Sequence, residues 1–262
     1  MGTRQKRVKT TAKVTSSPTA GSTGLRLGLA VLLPPLLAGL VGIATGRLTA
    51  VSDLTNQATA LPLLAVLGIS SWFLGLRWYG LAGMGLRGKR PLFASIGFAV
   101  LGWVALLLIR IYTVESETLG TGFRQFSYLL LFEAFAVQLW VFGLMFHALA
   151  DWRGPLTAAF GSGILFGMTA FLLFQEPAYS DGSSLLYFGA WGIFYGIIRL
   201  RTGSLLGAVL VQALQSFTAW VVLQPVASPD PAQLAALHWI TAVLYLIFIW
   251  RLWPKREDDY RV

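Results

Sequence analysis

Residues 137–170 read VQLWVFGLMFHALADWRGPLTAAFGSGILFGMTA, two continuous apolar stretches hinged at Arg153-Gly154-Pro155. The only charged side chains in the segment, Asp151 and Arg153, stand beside that hinge. Neither stretch alternates apolar with polar residues as a barrel strand does. Crossing about 30 Å of hydrocarbon as helix takes roughly 17 to 25 residues, and the same kind of run recurs outward in both directions. Eight are found, at about 27–46, 60–76, 92–111, 127–148, 155–174, 185–200, 205–223 and 234–253, the sixth being the shortest. The fold class is all-α: a polytopic membrane protein of about eight transmembrane helices.

Composition points the same way. The 262 residues are 56% hydrophobic and 12% charged, with a mean hydropathy of +0.68, too apolar for a soluble globular domain. The chain has no Cys, which excludes disulfides, thiolate metal ligands and thiol catalysis. A net charge of +9 would point to nucleic acid in a soluble protein, but the basic residues sit at the ends of apolar runs. They report membrane orientation instead.

With the N-terminus placed inside, 17 of the 20 Lys and Arg fall on the inner side, leaving Arg47, Arg110 and Arg124 outside. Both termini are therefore expected in the cytoplasm. Arg outnumbers Lys by 15 to 5, which suggests a GC-rich bacterial genome and a bacterial cytoplasmic membrane. Residues 1–24 are basic, acid-free and rich in Ser, Thr and Gly, and read as a disordered cytoplasmic tail; an organelle transit peptide shares that composition. The transmembrane domain spans 25–254, and 255–262 form a second charged tail. Pro34-Pro35 should kink the first helix, and neighbouring helices must then cover the freed backbone. Gly163xxxGly167 and Gly192xxxGly196 have the spacing of close helix packing in lipid.

Gly143, Gly154-Pro155, Phe166 and Arg201-Thr202-Gly203-Ser204-Leu205 stand at a joint spacing that resembles the CPBP family of intramembrane proteins. That family includes type II CAAX prenyl proteases and bacteriocin-processing or immunity proteins. Its common pattern is EExxxR, a Gly-Pro turn, FxxxH and HxxxN. The resemblance covers about 80–223, starting near Gly85-Leu86 and the basic residues that follow, and implies a CPBP-like bundle. In an active member, adjacent glutamates activate water, while histidines and an Asn hold that water or stabilise the oxyanion. Such work needs groups that exchange protons near neutral pH or meet developing charge. Here the two glutamates fall on Val137 and Gln138, and the Arg on Phe142. Gly143 matches the Gly after the Arg, and Phe166 the Phe of FxxxH. The histidines fall on Ala170 and Gln212, and the Asn on Ser216. The resemblance implies that the fourth, fifth and seventh spans meet, with Gln138, Ala170 and Gln212 around one cavity.

Glu133 is the one acid inside an apolar run, and an ionisable group there is a functional candidate by default. It is read either as a relocated catalytic carboxylate or as a hydrogen-bonded link between helices. Gln138, Gln212, Gln215 and Ser216 are candidates for an interhelical amide and hydroxyl network. His147 and His238 lie near span ends on opposite sides, so they do not share a metal. Each reads as an interfacial residue or as an axial ligand to a porphyrin or chlorophyll. No phosphate loop, zinc signature or Ser-His-Asp order occurs. The expectation is a catalytically inactive CPBP-like protein that binds a membrane-protein partner or a hydrophobic ligand in the lipid bilayer, with no metal, no cofactor and no nucleic acid. The alternatives are an intramembrane endopeptidase using Glu133, and a pigment-associated or transport subunit.

Overall fold

The computed structural model describes residues 20–46, 57–86, 89–113, 123–173, 182–218 and 230–262. Among them there is no strand and there are eight helices. These are α1 (Ala20–Ala44), α2 (Gln57–Gly83), α3 (Lys89–Thr113), α4 (123–153), α5 (Pro155–Leu173), α6 (Gly182–Thr202), α7 (Leu206–Phe217) and α8 (Pro231–Leu252). Each coincides with one of the eight apolar runs, because in hydrocarbon every backbone polar group must find its partner within the segment. By length and composition, four are fit to cross a membrane: Ser22–Ala44, Leu61–Gly83, Phe126–Arg153 and Pro231–Leu252. Ser95–Ile109, Pro155–Phe171 and Leu206–Phe217 are shorter apolar helices.

Helix α4 is the axis of the bundle and touches α1, α2, α5, α6 and α7. It is not uniform. Two π-helical stretches, Leu129–Ala134 and Leu139–Met145, are set between α-helical turns, and every residue from 139 to 146 is buried. α5 and α6 form the closest pair. A Cβ on Gly163 would lie 2.7 Å from the Ile193 backbone, and one on Gly196 would run into the Ala159 carbonyl, so these glycines are packing residues.

Helix α1 runs through Pro34-Pro35 without interruption. Pro34 has no N–H to give to the carbonyl four residues earlier, that of Ala30. Trp140 of α4 supplies the missing donor, its indole Nε1–H bonding Ala30 O at 3.0 Å. The prolines thus tie α1 to the axis. α2 is two helices in one: Gly80, at φ 67 and ψ 178, breaks it just after Arg77-Trp78-Tyr79, and a short turn follows to Gly83. At the central hinge, Gly154 adopts φ 89 and closes α4 through its N–H to Ala150 O at 2.9 Å. Pro155 then opens α5, where its missing donor is harmless.

The expected boundaries shift at both ends of the chain. α1 begins at Ala20, inside the expected 1–24 tail, and residues 1–19 lie outside the described residues. Residues 255–262, read as a charged tail, include a short turn, Glu257–Asp259, after which Tyr260 and Val262 pack against the core. Residues 47–56, 87–88, 114–122, 174–181 and 219–229, the last including the end of the expected run 205–223, also lie outside the described residues.

Candidate functional site

A π turn carries about one residue more than an α turn, so it changes which side chains share a face. Along α4 this places Glu133 and Gln138, five residues apart, toward α7. Ser216 Oγ donates to Glu133 Oε1 at 2.8 Å. Gln138 Nε2 donates to Gln212 Oε1 at 2.8 Å. Gln212 and Ser216 are one helical turn apart on α7, so both bonds run from α4 to the same face of α7. The bonds form a short polar chain in which Gln212 turns its oxygen to Gln138. The chain ends at Gln138 Oε1, which is fully buried and has no donor among the described residues.

Val137, where the resemblance places the other glutamate, is half-buried and packs beside Leu64 and Ala136 as well as on the main core. Phe142, at the Arg position, meets the Phe166 ring at 5.8 Å and the Tyr195 ring at 5.9 Å. Phe166 also packs edge-on to Trp191 at 5.4 Å. These rings form an aromatic block between α4, α5 and α6. Ala170 is buried on α5 and belongs to the main core. The structure thus joins Gln138 with Gln212, Glu133 with Ser216, and Phe142 with Phe166.

On the other face of α7, Gln215 Nε2 donates to the Tyr187 hydroxyl, and Tyr245 OH donates to Gln215 Oε1 at 2.8 Å. One amide so links α6, α7 and α8. His238 is buried, with its Nδ1 3.3 Å from Ser183 Oγ and 3.2 Å from Ser184 Oγ, and its ring lies over Tyr187 at 5.1 Å. His147 packs on Tyr79 at 4.3 Å between ring centres. Among the described residues, no three His, Cys, Asp or Glu side chains gather as a metal site would require.

Sequence reasoning missed Arg199. In the sequence it reads only as one of the basic residues at the ends of apolar runs, yet its side chain is wholly buried. The guanidinium donates to three carbonyls: Nε to Phe142 O at 3.2 Å, Nη2 to Gly83 O at 2.8 Å and Nη1 to Arg261 O at 3.3 Å. It also stands 5.0 Å over the Phe146 ring. Gly85, at φ 80, makes room, since a Cβ there would lie 2.7 Å from Arg199 Nε, and Gly85 O accepts from Leu205 N at 2.9 Å. The signal was present, because Arg199 lies inside the apolar run 185–200, where an ionisable group is costly and is kept for a reason.

Residues 120–218 match the family model described as type II CAAX prenyl endopeptidase Rce1-like. That segment, 99 of the 262 residues, is similar to the type II CAAX prenyl endopeptidases of that model. The match takes in α4 to α7 with every motif position and the Arg199 turn, but leaves out Gly85-Leu86, where the resemblance was expected to begin. No curated protein and no solved structure matched the chain. The matched segment holds the Gly154-Pro155 hinge, the Thr202-Gly203-Ser204 turn and the aromatic block, and its polar chain crosses from α4 to α7.

Proposed function

We propose that this protein is a CPBP-like integral membrane protein without peptidase activity, which works by holding a membrane-protein partner or a hydrophobic ligand. The observation that supports this most is that Gln138 bonds Gln212 while Ser216 bonds Glu133. The groups standing where a protease keeps its base and its oxyanion donors are engaged with one another. Amides and hydroxyls of this kind neither remove a proton from water at neutral pH nor carry an imidazolium's charge. The proposed topology is eight spans in a bacterial cytoplasmic membrane with both ends of the chain inside, supported by the basic-residue asymmetry. Because the chain has no Cys, single substitutions Gly120→Cys, Ser180→Cys and Ser228→Cys are clean probes. All three should react with an impermeant reagent from outside, and protection of two would overturn the orientation.

A second reading, an endopeptidase centred on Glu133, is supported by the Ser216 hydroxyl that donates to that carboxyl inside an apolar run. One experiment separates the two. The tagged protein is purified from its native membrane in mild detergent, assayed on a prenylated peptide and on a transmembrane peptide, and examined by mass spectrometry for stoichiometric companions. A companion or bound lipid without cleavage supports the binding reading. Cleavage that disappears in Glu133→Gln refutes it.

A further inference from the structure

The end of the bundle where α6 passes into α7 is covered by residues 259–262. Arg261 offers its backbone on both sides: its N–H bonds Leu200 O at 2.9 Å, and its carbonyl accepts from Arg199 Nη1 at 3.3 Å. Two residues earlier, Asp259 Oδ2 lies 2.8 Å from Arg201 Nη1. The same oxygen accepts from the backbone of Lys255 at 2.9 Å and of Arg256 at 3.2 Å. Between and after these anchors, Tyr260 and Val262 pack against the core. The floor is Gly203, at φ 66, where a Cβ would stand 3.0 Å from the Cβ and the carbonyl oxygen of Arg261.

Backbone pairing, one carboxylate held by an arginine and two alternate apolar side chains are the components of a peptide-binding site. We propose that residues 199–204 form a docking site for a short peptide of this chemistry, filled here by the chain's own residues 259–262, and that its occupancy controls the packing of α4. The link to α4 is a single planar group. The guanidinium that donates to the docked Arg261 carbonyl also donates to Phe142 O, in the middle of the π-helical stretch Leu139–Met145. A guanidinium is a rigid fork, and a buried N–H left without its acceptor is costly. Undocking therefore forces Arg199 to seek another partner and disturbs its hold on α4. Asp259 is ready for its part at neutral pH: the Lys255 amide N–H, with help from Arg201, holds its carboxyl below the usual range.

The test is amide hydrogen exchange on the full chain in detergent, on a deletion of residues 259–262, and on Gly203→Ala, whose Cβ strikes the docked segment. Deletion should speed exchange in residues 139–146 about tenfold, the local opening expected when a buried anchor is lost, with the glycine contact of α5 and α6 unchanged. A synthetic peptide with the sequence EDDYRV, added to the deletion variant, should restore protection. Gly203→Ala should show the same local pattern and decides the matter if the deletion variant does not fold. Unchanged exchange at 139–146, an equal rise throughout the bundle, or no rescue by the peptide would overturn the proposal.

Discussion

Helix α4 carries two polar constructions built on opposite rules. At Glu133 and Gln138 side chains meet side chains, Ser216 and Gln212 of α7; at Phe142 the backbone itself is held, by the buried fork of Arg199. The first can change chemistry by substitution without moving a helix. The second is fixed by where the chain passes, through Gly85 and Gly203 at positive φ. The contrast fits a segment that resembles the Rce1-like model while carrying Val137, Gln138, Phe142, Ala170 and Ser216.

The contrast is tested most severely at Arg199. Replacing it with Met should cost about 3 kcal/mol or more, since the buried Phe142 carbonyl and the part-buried carbonyls of Gly83 and Arg261 lose charged donors worth roughly 1 to 3 kcal/mol each. The unfolding midpoint in detergent measures this, and a near-neutral result would mean that the carbonyls find other donors. Gly85→Ala comes next, at about 1 to 3 kcal/mol for strained backbone, because its new Cβ meets Arg199 as well. Gln138→Leu should be milder, about 0.6 kcal/mol and at most ~1.7, and its effect should be non-additive with Gln212→Leu in a double-mutant cycle. Additivity there would show that the two amides do not act as a pair. Asp259→Asn is the smallest, an exposed pair that solvent and salt screen. Its sign follows from a carboxyl titrating below its usual value. The docked segment should be held fully above about pH 3.9 and released as pH falls further, while Asp259→Asn removes that dependence from the exchange of residues 139–146.

The helices were legible because hydrocarbon leaves the backbone one economical solution, and the eight apolar runs mark where it applies. The interruption at Gly80 and the start of α1 at Ala20 depend on local turns that hydropathy does not register. The site was legible as a set of residues, Glu133, Gln138, Gln212 and Ser216, but not as a geometry. A regular helix puts Glu133 over Val137, four residues on, whereas the π turns align it with Gln138. Arg199 was misread because charge at a span end usually means water, and only a carbonyl cradle assembled from three distant segments makes its burial tolerable.

The two π turns give α4 a memory of length. A helix encodes direction in residue count, about 100° for each residue of an α turn, so each π turn works as an inserted amino acid whose phase shift the helix has absorbed. Deleting Leu130 or Leu131 should let the first stretch relax to α geometry and swing Glu133 away from Ser216, which loss of coupling between those two residues would reveal. The position of this acid can therefore be gained or lost by a single codon's insertion or deletion, a step that no comparison of substitutions alone would record.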